Sequence, residues 1–209
     1  MPDPRDDYLD PYRQSHRHHG TGFDVTLWAS PRTQALRFAV FTQMLYLPGK
    51  RILDAGCSRG DFASYLIQHD VAFASYVGVD GLPQVIEFAT QRRLPGCTFV
   101  AGDILRHPHL LRTGDPQIIA ISGTLNTMTD AQAYALLDES WKAAGEALIF
   151  NFLSDRHTHD APRQDEGPAR RLNTVALVDW ALARTPMMAL RHDYFKHGHD
   201  ATIAMRRPT

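Results

Sequence analysis

A tight run of small residues followed by carboxylates at regular intervals is the part of this sequence best suited to chemistry. Residues 52–62 read Ile-Leu-Asp-Ala-Gly-Cys-Ser-Arg-Gly-Asp-Phe, placing Gly56 and Gly60 where a short apolar run gives way to a helical pattern. Glycine at such a bend lets the backbone approach a ligand where a Cβ would clash, and the helix that follows offers free amides at its start. Asp80, in Val77-Gly-Val-Asp-Gly-Leu82, lies twenty residues beyond Gly60. A carboxylate there can accept both hydroxyl hydrogens of a ribose. Asp103, in Val100-Ala-Gly-Asp-Ile104, ends the next such run, where it can accept from an adenine amino group. Asp54 either touches the ligand or fixes the loop by accepting backbone amides.

These residues need a frame, and the sequence supplies one. Ser30-Pro31 signals a helix start, with Phe38, Phe41 and Leu45 at helical spacing and Pro48-Gly49 as the stop. Short apolar strands are then expected at 51–55, 74–79, 98–101, 117–122 and 146–152. Helices are expected at 61–68 and 83–92, and a third carries Ala133, Leu136, Leu137, Trp141 and Ala144 on one face. Strands alternating with helices predict a parallel sheet covered on both faces. A further helix, capped by Asn173, leads to two strands at 187–194 and 200–206. The link between them, 195–199, is too short for a crossover helix, so this pair is expected to be antiparallel. Residues 1 to about 22 read as a polar arm, not as core. The organisation expected is an N-terminal arm or lid over 1–29 and one domain over 30–209.

Composition narrows the function. The chain has 209 residues, 44% of them hydrophobic, and a formal net charge of -1. That balance argues against a nucleic-acid binder working through bulk charge. Two cysteines, Cys57 and Cys97, make neither a disulfide framework nor a zinc site alone, which fits a reducing, cytoplasmic setting. No apolar run approaches the roughly 20 residues needed to span a bilayer, and the acidic first residues do not read as a secretory signal. His16, His18 and His19, and likewise His157, His159 and Asp160, lack a metal-ligand spacing and read as solvated loop groups, as do His192, His197 and His199 flanking the hairpin turn. No metal is expected.

With the glycine loop and both downstream carboxylates in place, the sequence resembles the class I S-adenosylmethionine-dependent methyltransferases. That family's first motif is an acidic residue with glycines two, four and six positions on. Asp54, Gly56 and Gly60 match, and Ser58 stands in the middle glycine's place. The resemblance covers about residues 30–207, and the segments around Trp28-Ala-Ser-Pro31, Ser122-Gly-Thr-Leu-Asn126 and Arg191-His-Asp-Tyr194 look like one bacterial branch. It implies a doubly wound α/β fold: a mostly parallel, Rossmann-like sheet of seven strands in the order 3-2-1-4-5-7-6, ending in an antiparallel hairpin. The implied cofactor is S-adenosyl-L-methionine, leaving as S-adenosyl-L-homocysteine. By resemblance Gly56, Cys57 and Ser58 line the methionine moiety, and Asp80 holds the ribose. Gly81 and Leu82 lie against the adenine, Asp103 and Ile104 meet its edge, and Ser122 and Gly123 pass beneath the cofactor. Cysteine is common at position 57 in small members, so Cys57 reads as packing and not as a nucleophile.

A sulfonium methyl is already electrophilic, so alignment of the acceptor is the main task, worth roughly 7–11 kcal/mol in favourable cases. A neutral amine, thiolate or carboxylate acceptor needs no base, whereas a hydroxyl or carbon acceptor does. Asn126, Asn151 and His157 are the candidates beside the methyl group, although an asparagine orients and cannot take a proton. Trp28, with Tyr12 and His19, either belongs to a lid or packs on the sheet edge. Trp141 and Trp180 read as core, and Arg170 and Arg171 as a solvated helix start. The short arm and loop favour a small-molecule acceptor, with the protein a monomer or homodimer. Two alternatives stand: a non-catalytic S-adenosylmethionine binder, and an NAD(P)-dependent oxidoreductase. The latter's G-x-G-x-x-G pattern is broken by Ser58 and Asp61.

Overall fold

The structure, a computed structural model, describes residues 7–158 and 168–208. Its strands are β1 (Arg51–Ala55), β2 (Ser75–Asp80), β3 (Cys97–Ala101), β4 (Ile118–Ile121), β5 (Ala147–Leu153), β6 (Met188–Arg191) and β7 (Asp200–Arg206). They form one sheet in the order β3-β2-β1-β4-β5-β7-β6. The first five pair in parallel, and β7 runs antiparallel between β5 and β6. This is the class I methyltransferase fold, with the antiparallel pair at its end.

The helices are α1 (Asp10–His19), α2 (Pro31–Met44), α3 (Asp61–Gln68), α4 (Pro83–Gln91), α5 (Asp130–Ala143) and α6 (Thr174–Leu182). Alternate strand residues face opposite layers. Leu53, Ile119, Ile121, Phe150 and Ile203 pack in one cluster with Leu136 of α5 and Leu177 of α6. Ile52, Ala120, Ile149 and Ala204 pack in the other with Phe41 of α2 and Phe62 of α3. Every residue of β4 is buried, as a central strand between two helical layers must be. Ser30 caps α2 by accepting the Thr33 amide at 3.2 Å, with Pro31 in the first turn. Asn173 caps α6 through Ala176 at 2.9 Å. A reciprocal capping box between Thr129 and Gln132 starts α5.

Three features depart from the expectation. The segment read as a polar arm contains α1, and Tyr8 and Leu9 just before it are each 5% exposed within the main core. The short apolar set Tyr8, Leu9 and Tyr12 makes one buried stripe among many histidines and arginines. β6 stops at Arg191, three residues early, because His192 turns to Ser154 Oγ at 2.9 Å and Arg191 to Asp193 at 2.5 Å. Trp180 is buried, with its indole N–H donated to Asp138 at 3.0 Å, but Trp141 is only half-buried and lies beneath the Arg207 guanidinium.

Candidate cofactor and acceptor site

β1 and β4 are neighbours, yet the chain leaves them toward opposite edges of the sheet. Ligands of open α/β sheets bind outside the carboxyl ends of strands at such a reversal. A cavity of about 730 Å³ opens there, inside the roughly 300–1,000 Å³ range of small-molecule sites.

The loop after β1 forms one wall. Gly56 has φ 85°, and a Cβ there would overlap the Thr124 hydroxyl, which donates to the Ala55 carbonyl at 2.9 Å. Gly60 has φ 72° and starts α3, where a Cβ would fall 2.8 Å from the Phe99 ring. It shapes the loop without lining the cavity. Ser58, in place of the usual glycine, itself takes the left-handed conformation at φ 46°, which costs an L-residue about 1–2 kcal/mol. What holds it is Asp80: the Ser58 amide donates to Asp80 Oδ2 and the Leu82 amide to Oδ1, both at 2.9 Å. Asp80 therefore ties the ends of β1 and β2 together at the cavity wall. Burial pushes its carboxyl pKa up, and the two amides oppose that.

Asp54 is 3% exposed at the cavity edge. Its Oδ2 accepts from the Tyr76 hydroxyl, and its Oδ1 has no hydrogen-bond partner. Burial pushes its pKa up to about 7; the Tyr76 hydroxyl opposes this, and the nearby Asp80 and Asp61 carboxylates add to it. Cys57 also lines the cavity, but burial first, and Asp80 next, push its thiol well above the ordinary range. It is a packed, protonated thiol.

The remaining wall comes from the arm. Tyr8, Leu9, Tyr12, Val25 and Trp28 all line the cavity, together with Leu82, Val85 and Ile104. Leu9 rests on Gly81, where a Cβ would fall 2.6 Å from it, and Trp28 lies so close over Gly123 that a Cβ there would overlap its ring. Asp103 is placed otherwise than the sequence reading had it. It lies beyond the end of β3, outside the cavity lining, and accepts the Tyr8 hydroxyl at 2.9 Å and the Leu105 amide at 3.0 Å. Asp103 anchors the arm. His19 also stays out of the lining, half-exposed beside Asp24.

Of the three residues expected beside the methyl group, the structure brings only Asn126 to the cavity. Its Oδ1 is held by the Leu153 amide at 3.1 Å. Asn151 is fully buried beneath the wall, accepting the Gly123 amide at 2.8 Å, so it shapes the Ser122-Gly123 turn from behind. His157 is exposed outside, bound to the Thr158 carbonyl. His159 to Gly167 lie outside the described residues, and among the described residues no group of three His, Cys, Asp or Glu is set to hold a metal ion.

His197 and His199 read from the sequence as solvated loop groups, and nothing in it singles out Arg37 or Asp200, yet these residues form one cluster at the same cavity. Arg37 of α2 and Asp200 of β7 form a buried two-pronged ion pair, with Arg37 Nε 2.8 Å from Asp200 Oδ1. The guanidinium is sandwiched between the rings of Trp28, 4.1 Å away, and Phe195, 4.5 Å away. His199 stands beside it, with Nε2 3.3 Å from Asp200 Oδ2. Arg37, His197 and His199 line the cavity with Gln34, Leu153 and Arg171.

Fold, reversal point, glycine loop and strand-end carboxylates together define a class I nucleoside-cofactor domain. The family described as methyltransferase domain matches residues 47–154, and the chain belongs to it. It is 47% identical over 58 residues to the phthiotriol/phenolphthiotriol dimycocerosates methyltransferases of Mycobacterium leprae and Mycobacterium ulcerans; the match covers 27% of this chain and only 21–22% of those relatives. Among solved structures it is similar to magnesium protoporphyrin IX methyltransferase from Synechocystis with bound S-adenosylhomocysteine: TM-score 0.65, 17% identity, covering 97% of this chain and 98% of that one. It is also similar to a SAM-dependent methyltransferase from Archaeoglobus fulgidus (0.69, 13%, 88% and 98%). A third is the Haemonchus contortus phosphoethanolamine N-methyltransferase 1 complex (0.71, 11%, 98% and 49%).

The residues present suit S-adenosylmethionine. A buried carboxylate oxygen without a donor is what the cofactor's ammonium group requires, and the Asp80 carboxylate stands at the strand end where ribose is held. Among the described residues no helix is long and apolar enough to cross a membrane.

Proposed function

We propose that the protein transfers the methyl group of S-adenosylmethionine to a small organic acceptor. Bound S-adenosylmethionine supplies a methyl group on a cationic sulfur. Asp54 and the loop at 56–58 take the amino-acid end, and Asp80 the ribose hydroxyls. Leu82, Val85 and Ile104 cover the adenine with apolar surface. Trp28 and the α1 arm close the cavity from above as a lid and keep water from the reacting atoms, while Asn126 orients the acceptor through its amide. The observation that carries this reading is the buried, unpartnered Asp54 Oδ1, on a residue that lines the same cavity as Asp80.

Trp28, Arg37, Leu153, Pro168 and His199 line the same cavity, whose volume of about 730 Å³ suits a small molecule and not a nucleic acid. We place the protein in the cytoplasm, as a monomer or homodimer. The test is release of S-adenosylhomocysteine on mixing the protein with S-adenosylmethionine and pooled metabolites. Release that depends on one small-molecule fraction supports the proposal; binding of S-adenosylmethionine without release from any fraction favours a non-catalytic binder.

A further inference from the structure

We propose that His199 is the proton acceptor of the methyl transfer, and that the acceptor is a neutral hydroxyl carried on an apolar body. This rests on the methyltransferase reading above. His199 is the imidazole that joins the cavity lining to a buried, fixed acid: its Nε2 faces Asp200 Oδ2 at 3.3 Å, which leaves Nδ1 to take a proton. Phe195 packs on the His199 ring at 4.4 Å and is itself held by Arg37 at 4.5 Å, so Phe195 as well as Asp200 braces the imidazole. Asp200, with no exposed surface, is fixed by Arg37 and acts as a positioning residue.

The charges around the cavity select the acceptor. The groups facing His199 are Asp200, Arg37, Arg171 and His197; burial lowers its pKa first, Asp200 opposes, and the three basic neighbours add to the lowering. A base that is neutral near pH 7 results. Of the carboxylates lining the cavity, Asp54, Asp61 and Asp80 belong to the cofactor wall, and Asp24 is on the rim, 68% exposed. Among the described residues the buried anion beside Arg37 is Asp200, which Arg37 already pairs and which lies outside the cavity lining, so an ammonium acceptor finds none of its own there. A thiolate or carboxylate acceptor would leave His199 nothing to do. A hydroxyl needs this base, and Trp28, Phe38, Leu153, Pro168 and Ala169 offer apolar contact for the rest of the molecule. In the step, the hydroxyl oxygen forms the new C–O bond, the S–CH3 bond breaks with its electron pair going to sulfur, and the hydroxyl proton passes to His199 Nδ1. The products are a methyl ether, S-adenosylhomocysteine and an imidazolium, which later loses its proton to water.

The test compares wild type with His199→Gln on 2-naphthol and its isostere 2-naphthalenethiol, which is ionised at lower pH. S-adenosylhomocysteine release is followed across pH, and S-adenosylmethionine binding is measured by calorimetry. The variant should bind the cofactor as wild type does and lose at least about 100-fold in kcat on the naphthol with KM little changed. The acid limb of the kcat profile should vanish, while the rate on the thiol is retained. Equal losses on both compounds, an intact acid limb, or a wild type that methylates no hydroxyl probe would each overturn the proposal. Failure of wild type to bind S-adenosylmethionine would instead sink the reading beneath it.

Discussion

The buried carboxylate of Asp54 has one oxygen on the Tyr76 hydroxyl and the other on nothing. Such a group is costly to keep charged without a partner. Its pKa is raised to about 7 from a model-compound value of 3.8, so its contribution to stability is fully present below about pH 4 and is lost as pH rises through 7. The ligand-free protein should therefore lose thermal stability between about pH 4 and pH 7. Affinity for S-adenosylmethionine should climb over the same window, because the ionised carboxylate meets the cofactor's ammonium. Asp54→Asn should flatten both curves, which thermal melts and calorimetry at several pH values would show. Asp80→Ala removes a charged acceptor, and cofactor binding should weaken by about 1–3 kcal/mol with the protein still folded. Unchanged affinity would remove Asp80 from the site. Ser58 was legible as a departure from the glycine pattern, but not as a strained residue held by Asp80, since that depends on a bond across 22 positions.

At the scale of elements, the arm and α1 are joined to the site by Tyr8 on Asp103, Leu9 on Gly81 and Trp28 on Gly123. Gly123→Ala should push Trp28 off its seat and speed cofactor release, read by stopped-flow fluorescence of the tryptophan, with the melting temperature also lowered because residue 123 has φ 80°. A release rate equal to wild type would mean that Trp28 packs on the sheet edge without closing the cavity. The strands and their parallel pairing were readable because fully apolar runs, glycine bends and helical spacing are local signals, whereas the strand order followed from the resemblance. α1 was not, because its few apolar positions are diluted by His16, Arg17, His18 and His19. The end of β6 was overrun for a related reason: His192 to Tyr194 suit a strand by composition, and it is partners on other elements, Ser154 and Thr202, that draw two of them away.

Across the whole molecule, the Arg37–Asp200 pair spans 163 positions and locks α2 to β7 beside the acceptor end of the cavity. No sequence spacing signals such a pair, and without it His199 reads as a solvated histidine beside a hairpin turn. Breaking it leaves a buried charge alone, so Arg37→Met should cost about 3–5 kcal/mol in chemical denaturation. Arg37→Met combined with Asp200→Leu should recover much of that loss; no recovery would show that the aromatic sandwich and not the charge holds the joint. The central claim is that the carboxyl ends of β1, β2 and β4 bind S-adenosylmethionine, and calorimetric titration of that compound and of NADH into wild type and Asp80→Ala addresses it directly. The expected result is saturable binding of S-adenosylmethionine to wild type, weakened in the variant, with no heat from NADH. Binding of NADH alone, or S-adenosylmethionine affinity indifferent to Asp80, would contradict it.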